Sequence, residues 1–396
     1  MGRVFFIIGR FPSLSRAEIW TKFSQNPSWI SSDTIALDID SELGVKNLHQ
    51  MGGTIKVGQL IDTVNQDELR QAVMEPKFFE HFGRSGGRYI IGISAYGQKE
   101  LLPPPRQLAG MGLNIKKELR KKGRAVRLVT SRINPLSSVI VSKNKLIERG
   151  AEIVLIYESK NRIHIGFTLA VQNFEAYGHR DYGRPKRDMR SQGMIPPKLA
   201  QIMLNVANVT KDSVVMDPFC GGGTILQEAL LLGCRQVIGS DSNPQAIEDT
   251  KNNLRWLRAY HELASARIEL STHDARKPFP QLAPDSIDAV VTEPYLGPLR
   301  PPKDEAQLGN LRDELTQLYS QSLKNLRTYL KPAARVVLIL PSWHSGREII
   351  QPDIQKIASL SGFSLSNFPD WVGHNPFLYH REGQNVARLV AVLIRA

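Results

Sequence analysis

Two hydrophobic periods alternate along the chain. Val4–Ile8 is β-branched and aromatic, "GRFPS" carries turn chemistry, and "LSRAEIWTKF" spaces its apolar residues as a helix does. "TIALDID" reads as a second strand, and "KNLHQMGGTIKVGQLI" as an element, a Gly-Gly turn and a strand, so residues 1–60 form a small α+β unit. In residues 61–170, "GGRYIIGISAYG" predicts a strand, "LAGMGLNIKKELRKKG" a helix closed by Gly123, and "AEIVLIYESKNRIHIGFTLAVQ" a hairpin turning at Ser159–Asn161. The chain then becomes polar, and residues 171–195 read as a linker ahead of a helix entered through Pro196-Pro197. From residue 211 a strand, Gly-loop and helix order repeats. That pattern predicts an α/β sheet with helices on both faces, over residues 196–396.

Composition narrows the partners. At 396 residues the chain exceeds one ordinary core, and 41% hydrophobic residues suffice for two or three. A formal charge of +13 favours an anionic partner, either nucleic acid or a membrane surface. The basic runs lack a sustained apolar helix face with aromatic anchors, and no stretch approaches the roughly 20 apolar residues that cross a bilayer, so no membrane partner is expected. Val4–Ile8 is followed at once by Gly9 and Arg10, which reads as a first strand and not a secretory leader. Cys220 and Cys234, the only cysteines, support neither a disulfide framework nor a Cys-rich zinc site, and a reduced, cytoplasmic compartment is expected.

Candidate chemistry sits at strand ends of the α/β part. In "VVMDPFCGGGTILQEALLLGC" Asp217 ends a strand, and Gly221, Gly222 and Gly223 precede a helix. The next strand, "QVIGSD", ends in Asp241, 20 residues beyond Gly221, where an acid accepts both ribose hydroxyls. A dinucleotide is the competing ligand, but G-x-G-x-x-G is absent and Asp217 would repel a pyrophosphate. The loop is not G-x-x-x-x-G-K-[ST] either, which disfavours ATP. S-adenosylmethionine, with a sulfonium, an ammonium and no phosphate, suits the acidic strand ends. In "STHDARKPFP" Asp274 is placed to accept the adenine amino group, with Ala275 beside it, although a turn cap explains that aspartate nearly as well. No metal is required.

"DAVVTEPYLGP" brings Thr292, Glu293, Pro294 and Tyr295 to another strand end. An exocyclic amine on a nucleobase is a poor nucleophile, because its lone pair is delocalised into the ring. Glu293, or the Thr292 hydroxyl with a main-chain carbonyl, can accept its hydrogens while Tyr295 stacks on the base. A helix N-cap followed by proline is the plainer reading. "KKELRKKGRAVR" has seven basic residues in twelve: Lys116, Lys117, Arg120, Lys121, Lys122, Arg124 and Arg127. These suit phosphates, or else form a solvated helix face. "RDYGRPKRDMR" adds Arg184 and Arg187, interleaved with Tyr182.

The chain resembles the THUMP-domain tRNA guanosine-N2 methyltransferases that act on guanosine 10 of tRNA, the archaeal enzymes among them. The motifs are "FFIIGRFPSLSRAEI", "RYIIGISAYG…IKKELRKKGRAVRLV", "RDYGRPKRDMRSQGMIPPKLAQIMLNVA", "MDPFCGGGTILQEALLLG" and "REGQNVARLV". The resemblance implies a ferredoxin-like α+β domain (1–60), a THUMP RNA-binding domain (61–170) and a Rossmann-like class I methyltransferase sheet (196–396). It also implies S-adenosylmethionine as cofactor and tRNA as partner, and leaves a small activating subunit and the oligomeric state open. Carried over, Asp217, Phe219, Gly221 and Gly223 line the methionine end, Asp241 holds the ribose, and Asp274 with Ala275 the adenine. Pro197 and Lys198 lie in the closing segment. Where the family reads D-P-P-Y this chain reads T-E-P-Y; without a gap Thr292 replaces the aspartate, with one deletion Glu293 does. The expected reaction is methyl transfer to guanosine N2. The alternatives are another RNA amine such as adenine N6, or an RNA-binding protein without transfer activity.

Overall fold

The computed structural model describes residues 2–80, 88–186, 194–261, 263, 265–298, 300–302, 304–345, 348–384 and 386–395. The chain opens with β1 (Gly2–Ile8), α1 (Pro12–Phe23), β2 (Trp29–Ile30), β3 (Thr34–Ile39), α2 (Ser41–Leu48) and β4 (Thr54–Val64). It continues through α3 (Leu69–Ala72), α4 (Pro76–Glu80), β5 (Tyr89–Gly97), α5 (Pro105–Lys121), β6 (Val126–Val129), α6 (Ser138–Lys143), β7 (Gly150–Ser159) and β8 (Arg162–Val171). Then come α7 (Phe174–Tyr182), α8 (Pro197–Val206), β9 (Val214–Asp217), α9 (Thr224–Leu231), β10 (Gln236–Asp241), α10 (Pro244–Tyr260), β11 (Arg267–Thr272) and β12 (Ile287–Thr292). The last elements are α11 (Glu305–Leu326), β13 (Leu330–Ser345), β14 (Glu348–Ile350), α12 (Ile354–Ser361), β15 (Phe363–Leu365), β16 (Phe377–Tyr379) and β17 (Ala387–Arg395).

Two compact units result, one of residues 1–12 and 25–174, the other of 13–24 and 175–396. The first holds an eight-stranded sheet in the order β2-β3-β1-β4-β8-β7-β5-β6. A boundary at 60/61 falls inside β4, which pairs with both β1 and β8, so one sheet runs through residues 1–60 and 61–170. Helix α5 buries Leu108, Gly112, Ile115 and Leu119, a spacing that turns one stripe onto β5 and β6 and leaves the cationic residues outside. Gly123 follows the helix at φ +78°, a left-handed conformation that closes it without a Cβ penalty.

The second unit is built on a nine-stranded sheet whose main path runs β11-β10-β9-β12-β13-β17-β15. Strands β9 to β13 are parallel and β17 is antiparallel to β13. The near-continuous apolar runs of β9, β10, β12 and β13 are buried, as strands covered on both faces require; Met216, Val290 and Val336 are fully enclosed. Helix α1 belongs to this unit despite its place near the start of the sequence. Its Leu14, Ala17 and Ile19 are fully buried, Arg16 donates to the Trp371 carbonyl at 3.3 Å, and Glu18 accepts from Asn205 of α8 at 2.8 Å. That tertiary role is invisible in a sequence that reads as strand, turn and helix of one local unit.

Candidate active site

Strands β9 and β12 are parallel neighbours from which the sheet order proceeds in opposite directions. Ligands of such sheets bind beyond the strand C-termini at that switch point. Here Asp217 ends β9, Asp241 ends β10 and Thr292 ends β12. Beyond them opens a cavity of 490 Å³, to which Asp217, Phe219, Gly221, Asp241, Asp274 and Ala275 contribute. Glu293, Pro294 and Tyr295 line it too. Residues separated by up to 78 positions, and expected from sequence to share a site, therefore meet at one cavity.

The glycine loop is built for backbone donors. Gly221 sits at φ +50° and donates its N–H to Asp241 Oδ2 at 3.0 Å, while Asn243 N–H donates to Asp241 Oδ1 at 2.9 Å. The loop thereby fixes the carboxylate and leaves each oxygen a free lone pair. Gly223 does not line the cavity; it caps α9 at φ +77°, and a Cβ there would lie 2.8 Å from the Thr250 methyl. Its role is to let the loop turn into the helix.

Asp217 is 2% exposed. Its Oδ1 accepts from the Thr292 hydroxyl at 2.7 Å and from Phe219 N–H at 3.2 Å, and among the described residues no cation pairs with it. Burial pushes its carboxyl up to about 7; these two hydrogen bonds oppose the rise, and the charges of Asp241 and Glu293 add to it. A buried carboxylate that lacks a cation and faces a cavity is complementary to a cationic ligand. The donor set fits the sulfonium and ammonium of S-adenosylmethionine and would repel a phosphate.

Thr292 itself is buried and does not line the cavity. Its hydroxyl donates to Asp217, so Thr292, expected as an amine acceptor, is placed behind the cavity lining and braces the neighbouring strand end. Glu293 is the first residue past the strand and does reach the cavity. Its Oε1 accepts from Arg388 Nε of β17 at 2.5 Å. Burial raises its carboxyl above the usual range while the Arg388 charge and hydrogen bond pull it back. Tyr295 is 49% exposed, and its carbonyl accepts from the buried Tyr319 hydroxyl of α11 at 2.6 Å. An anchored backbone under an open ring makes a platform for a flat ligand.

Asp274 is bound on both oxygens by Arg276, at 3.0 Å and 2.7 Å, and this pairing holds its carboxyl down to about 2. It lines the cavity as an ionised acceptor.

Residues 184–353 match the UPF0020 family model, the RMKL-like methyltransferase domain. A protein of Methanothermobacter thermautotrophicus named tRNA (guanine(10)-N2)-dimethyltransferase is 36% identical over 120 residues, 30% of this chain and 33% of the relative. One of the same name from Methanocaldococcus jannaschii is 32% identical over 187 residues, 46% of this chain and 43% of the relative. The chain thus matches under half the length of these relatives. The fold is shared with TrmN from Thermus thermophilus, at a TM-score of 0.52 and 16% identity over 100% of both chains. It is shared also with a protein of Clostridium difficile described as a possible methylase, at 0.53 and 14% over 98% of this chain and 97% of the other.

Several residues around the matched stretch lie elsewhere than their motifs implied. Pro197 and Lys198 open α8 but do not line the cavity, and the Lys198 ammonium lies 5.0 Å from the Tyr177 ring centre. Met194 and Ile195, just before them, do line it. Arg184, expected at an RNA surface, is only 3% exposed; its guanidinium donates to Thr224 at the start of α9 and pairs with Asp181. Together with the buried Arg180–Glu228 ion pair, it ties the segment after α7 to α9. A basic run read from sequence gives no hint that its partners lie 40 and 48 residues ahead. Arg187 falls outside the described residues.

Sequence reasoning missed Asn243, Arg276 and Leu318, which also line the cavity. Asn243 carried a signal, since it precedes Pro244 and caps α10. Leu318, from the middle of α11, carried none. In the first unit Lys117, Arg120, Lys121, Lys122 and Arg127 are exposed on α5 and the strand after it, with Lys116 and Arg124 half-buried. Lys121 pairs with Glu118, and Lys122 lies 4.3 Å from the Phe79 ring centre.

Proposed function

We propose that this chain is an S-adenosylmethionine-dependent methyltransferase that modifies the exocyclic N2 of guanosine in tRNA, with position 10 as its target. The observation that carries the reading is the shared cavity: an acid-lined, glycine-looped half beside Glu293, Pro294 and the open Tyr295 ring. Relatives named for guanine-10 N2 dimethylation support the choice of base.

When bound, S-adenosylmethionine supplies an electrophilic methyl group. Asp217 offers its buried charge to the cationic end, Gly221 and Phe219 shape that end, and Asp241 offers acceptors for ribose hydroxyls. Asp274 and Ala275 hold the adenine side. Tyr295 supports the guanine ring from one face. Glu293 has one oxygen on Arg388, and the other accepts from the guanine amine, which orients the nitrogen lone pair toward the methyl group. A protonated guanine amine is a strong acid, so the paired carboxylate or water suffices to take its proton.

The exposed cations of α5 in the first unit, read as a THUMP-type module, grip tRNA phosphates. The test is to incubate the purified protein with isotopically labelled S-adenosylmethionine and an unmodified tRNA transcript, then analyse the nucleosides by mass spectrometry. Label in N2-methylguanosine, lost when guanosine 10 is replaced, is expected. Label in an adenosine would overturn the base, and no label with intact cofactor and tRNA binding would favour an RNA-binding role.

A further inference from the structure

The ion pair behind the amine grip is not anticipated by the T-E-P-Y stretch, whose partner lies 95 residues away. Arg388 stands on β17, opposite Pro341 of β13 and Tyr379 of β16. Strand β13 lies between β12 and β17, so the pair crosses two strand spacings, about 9–10 Å. An arginine and a glutamate together cover that span. An aspartate would fall one methylene short. The pair is enclosed, with side-chain exposures of 5% for Arg388 and 12% for Glu293. The other titratable groups around it are Asp217 on β9, Tyr319 on α11 and Tyr379 on β16, with Arg381 just beyond. Among these, only Arg388 makes an ion pair with Glu293.

We infer that Arg388 is the positioning residue of this site: it fixes Oε1 of Glu293, keeps the enclosed carboxylate charged and leaves Oε2 for the substrate amine. The inference rests on the methyl-transfer reading. It also explains the departure from an aspartate, because the longer side chain is what reaches the guanidinium. The charge matters beyond geometry. An anionic acceptor makes a stronger hydrogen bond to the amine than a neutral carboxyl, which would itself have to donate a proton.

The test compares wild type, R388Q, R388K and the double variant E293Q/R388Q by two readouts. In thermal unfolding without RNA, R388Q leaves Glu293 enclosed without its cation. Its folded pKa then lies further above the unfolded value, so stability is full in acid and falls as pH rises through the folded pKa. The unfolding temperature of R388Q should therefore drop below that of the double variant by a gap that widens from pH 5 to pH 9. In single-turnover transfer, R388Q should be ~100-fold slow at pH 7, with the deficit shrinking as pH rises, and R388K should stay within ~10-fold of wild type. Cofactor affinity should change less than ~3-fold in either single variant. A gap constant with pH, or equal loss at every pH with R388K no better than R388Q, would overturn the inference. If wild type transfers no methyl while the unfolding gap widens as described, the methyl-transfer reading falls and charge-holding by Arg388 stands.

Discussion

Asp217 and Glu293 are enclosed carboxylates at the ends of adjacent strands and line the same cavity, yet their surroundings differ in one respect. Glu293 has a guanidinium at 2.5 Å; Asp217 has a hydroxyl at 2.7 Å and a backbone N–H at 3.2 Å. Removing a carboxylate from water is costly unless a positive charge comes with it. At Glu293 the chain supplies that charge. At Asp217 it does not, so the burial remains uncompensated until a cation enters the cavity. One carboxylate thus has its counter-charge supplied by the chain, and the other faces the cavity without one.

The largest effect should come from removing the carboxylate that the chain pairs with Arg388. E293A is expected to lower single-turnover transfer by ~10³-fold at saturating cofactor, since it deletes the acceptor and leaves Arg388 unpaired. Next, D217N should weaken cofactor binding by ~100-fold, measured by calorimetry, because the cation loses its counter-charge. D217N also has a stability signature. The folded pKa of Asp217, about 7, lies above the usual carboxylate value, so its contribution is fully present in acid and lost as pH rises through 7. Without ligand, D217N should therefore unfold at a higher temperature than wild type at pH 8, by ~5 °C, with the difference vanishing near pH 4.

A change on the first unit should move neither readout. Substituting Lys117, Arg120 and Lys121 by glutamine is expected to weaken tRNA binding ~10-fold and flatten its salt dependence by up to three charges' worth. Cofactor affinity should not change. On stability alone, one further change concerns the frame that holds both strand ends. A fragment of residues 175–396 lacks the buried Leu14, Ala17 and Ile19 of α1 and should melt ~10 °C below the same fragment supplemented with a 10–24 peptide.

Those contrasts also mark what a sequence can disclose. Asp217, Gly221 and Asp241 were legible because acid-tipped strands and a glycine turn are local patterns, and the cavity brings all three together. Glu293 was legible as a candidate, but the choice between it and Thr292 was not. Which of them lines the cavity is set by packing against a strand end 75 positions away. The Arg388 pair, the burial of Arg184 and the transfer of α1 to the second unit depend likewise on tertiary contacts between distant segments. The basic face of α5 was legible, because its buried stripe and exposed cations follow the helical period.

The division of labour between the two carboxylates is tested most directly by one experiment: single-turnover transfer to a tRNA transcript across a cofactor titration, with D217N and E293Q run side by side. The account predicts that D217N shifts the half-saturating cofactor concentration and nearly recovers the rate at saturation, whereas E293Q keeps the half-saturation point and loses the rate. A rate loss in D217N that no cofactor concentration repairs, together with a shifted half-saturation in E293Q, would contradict it.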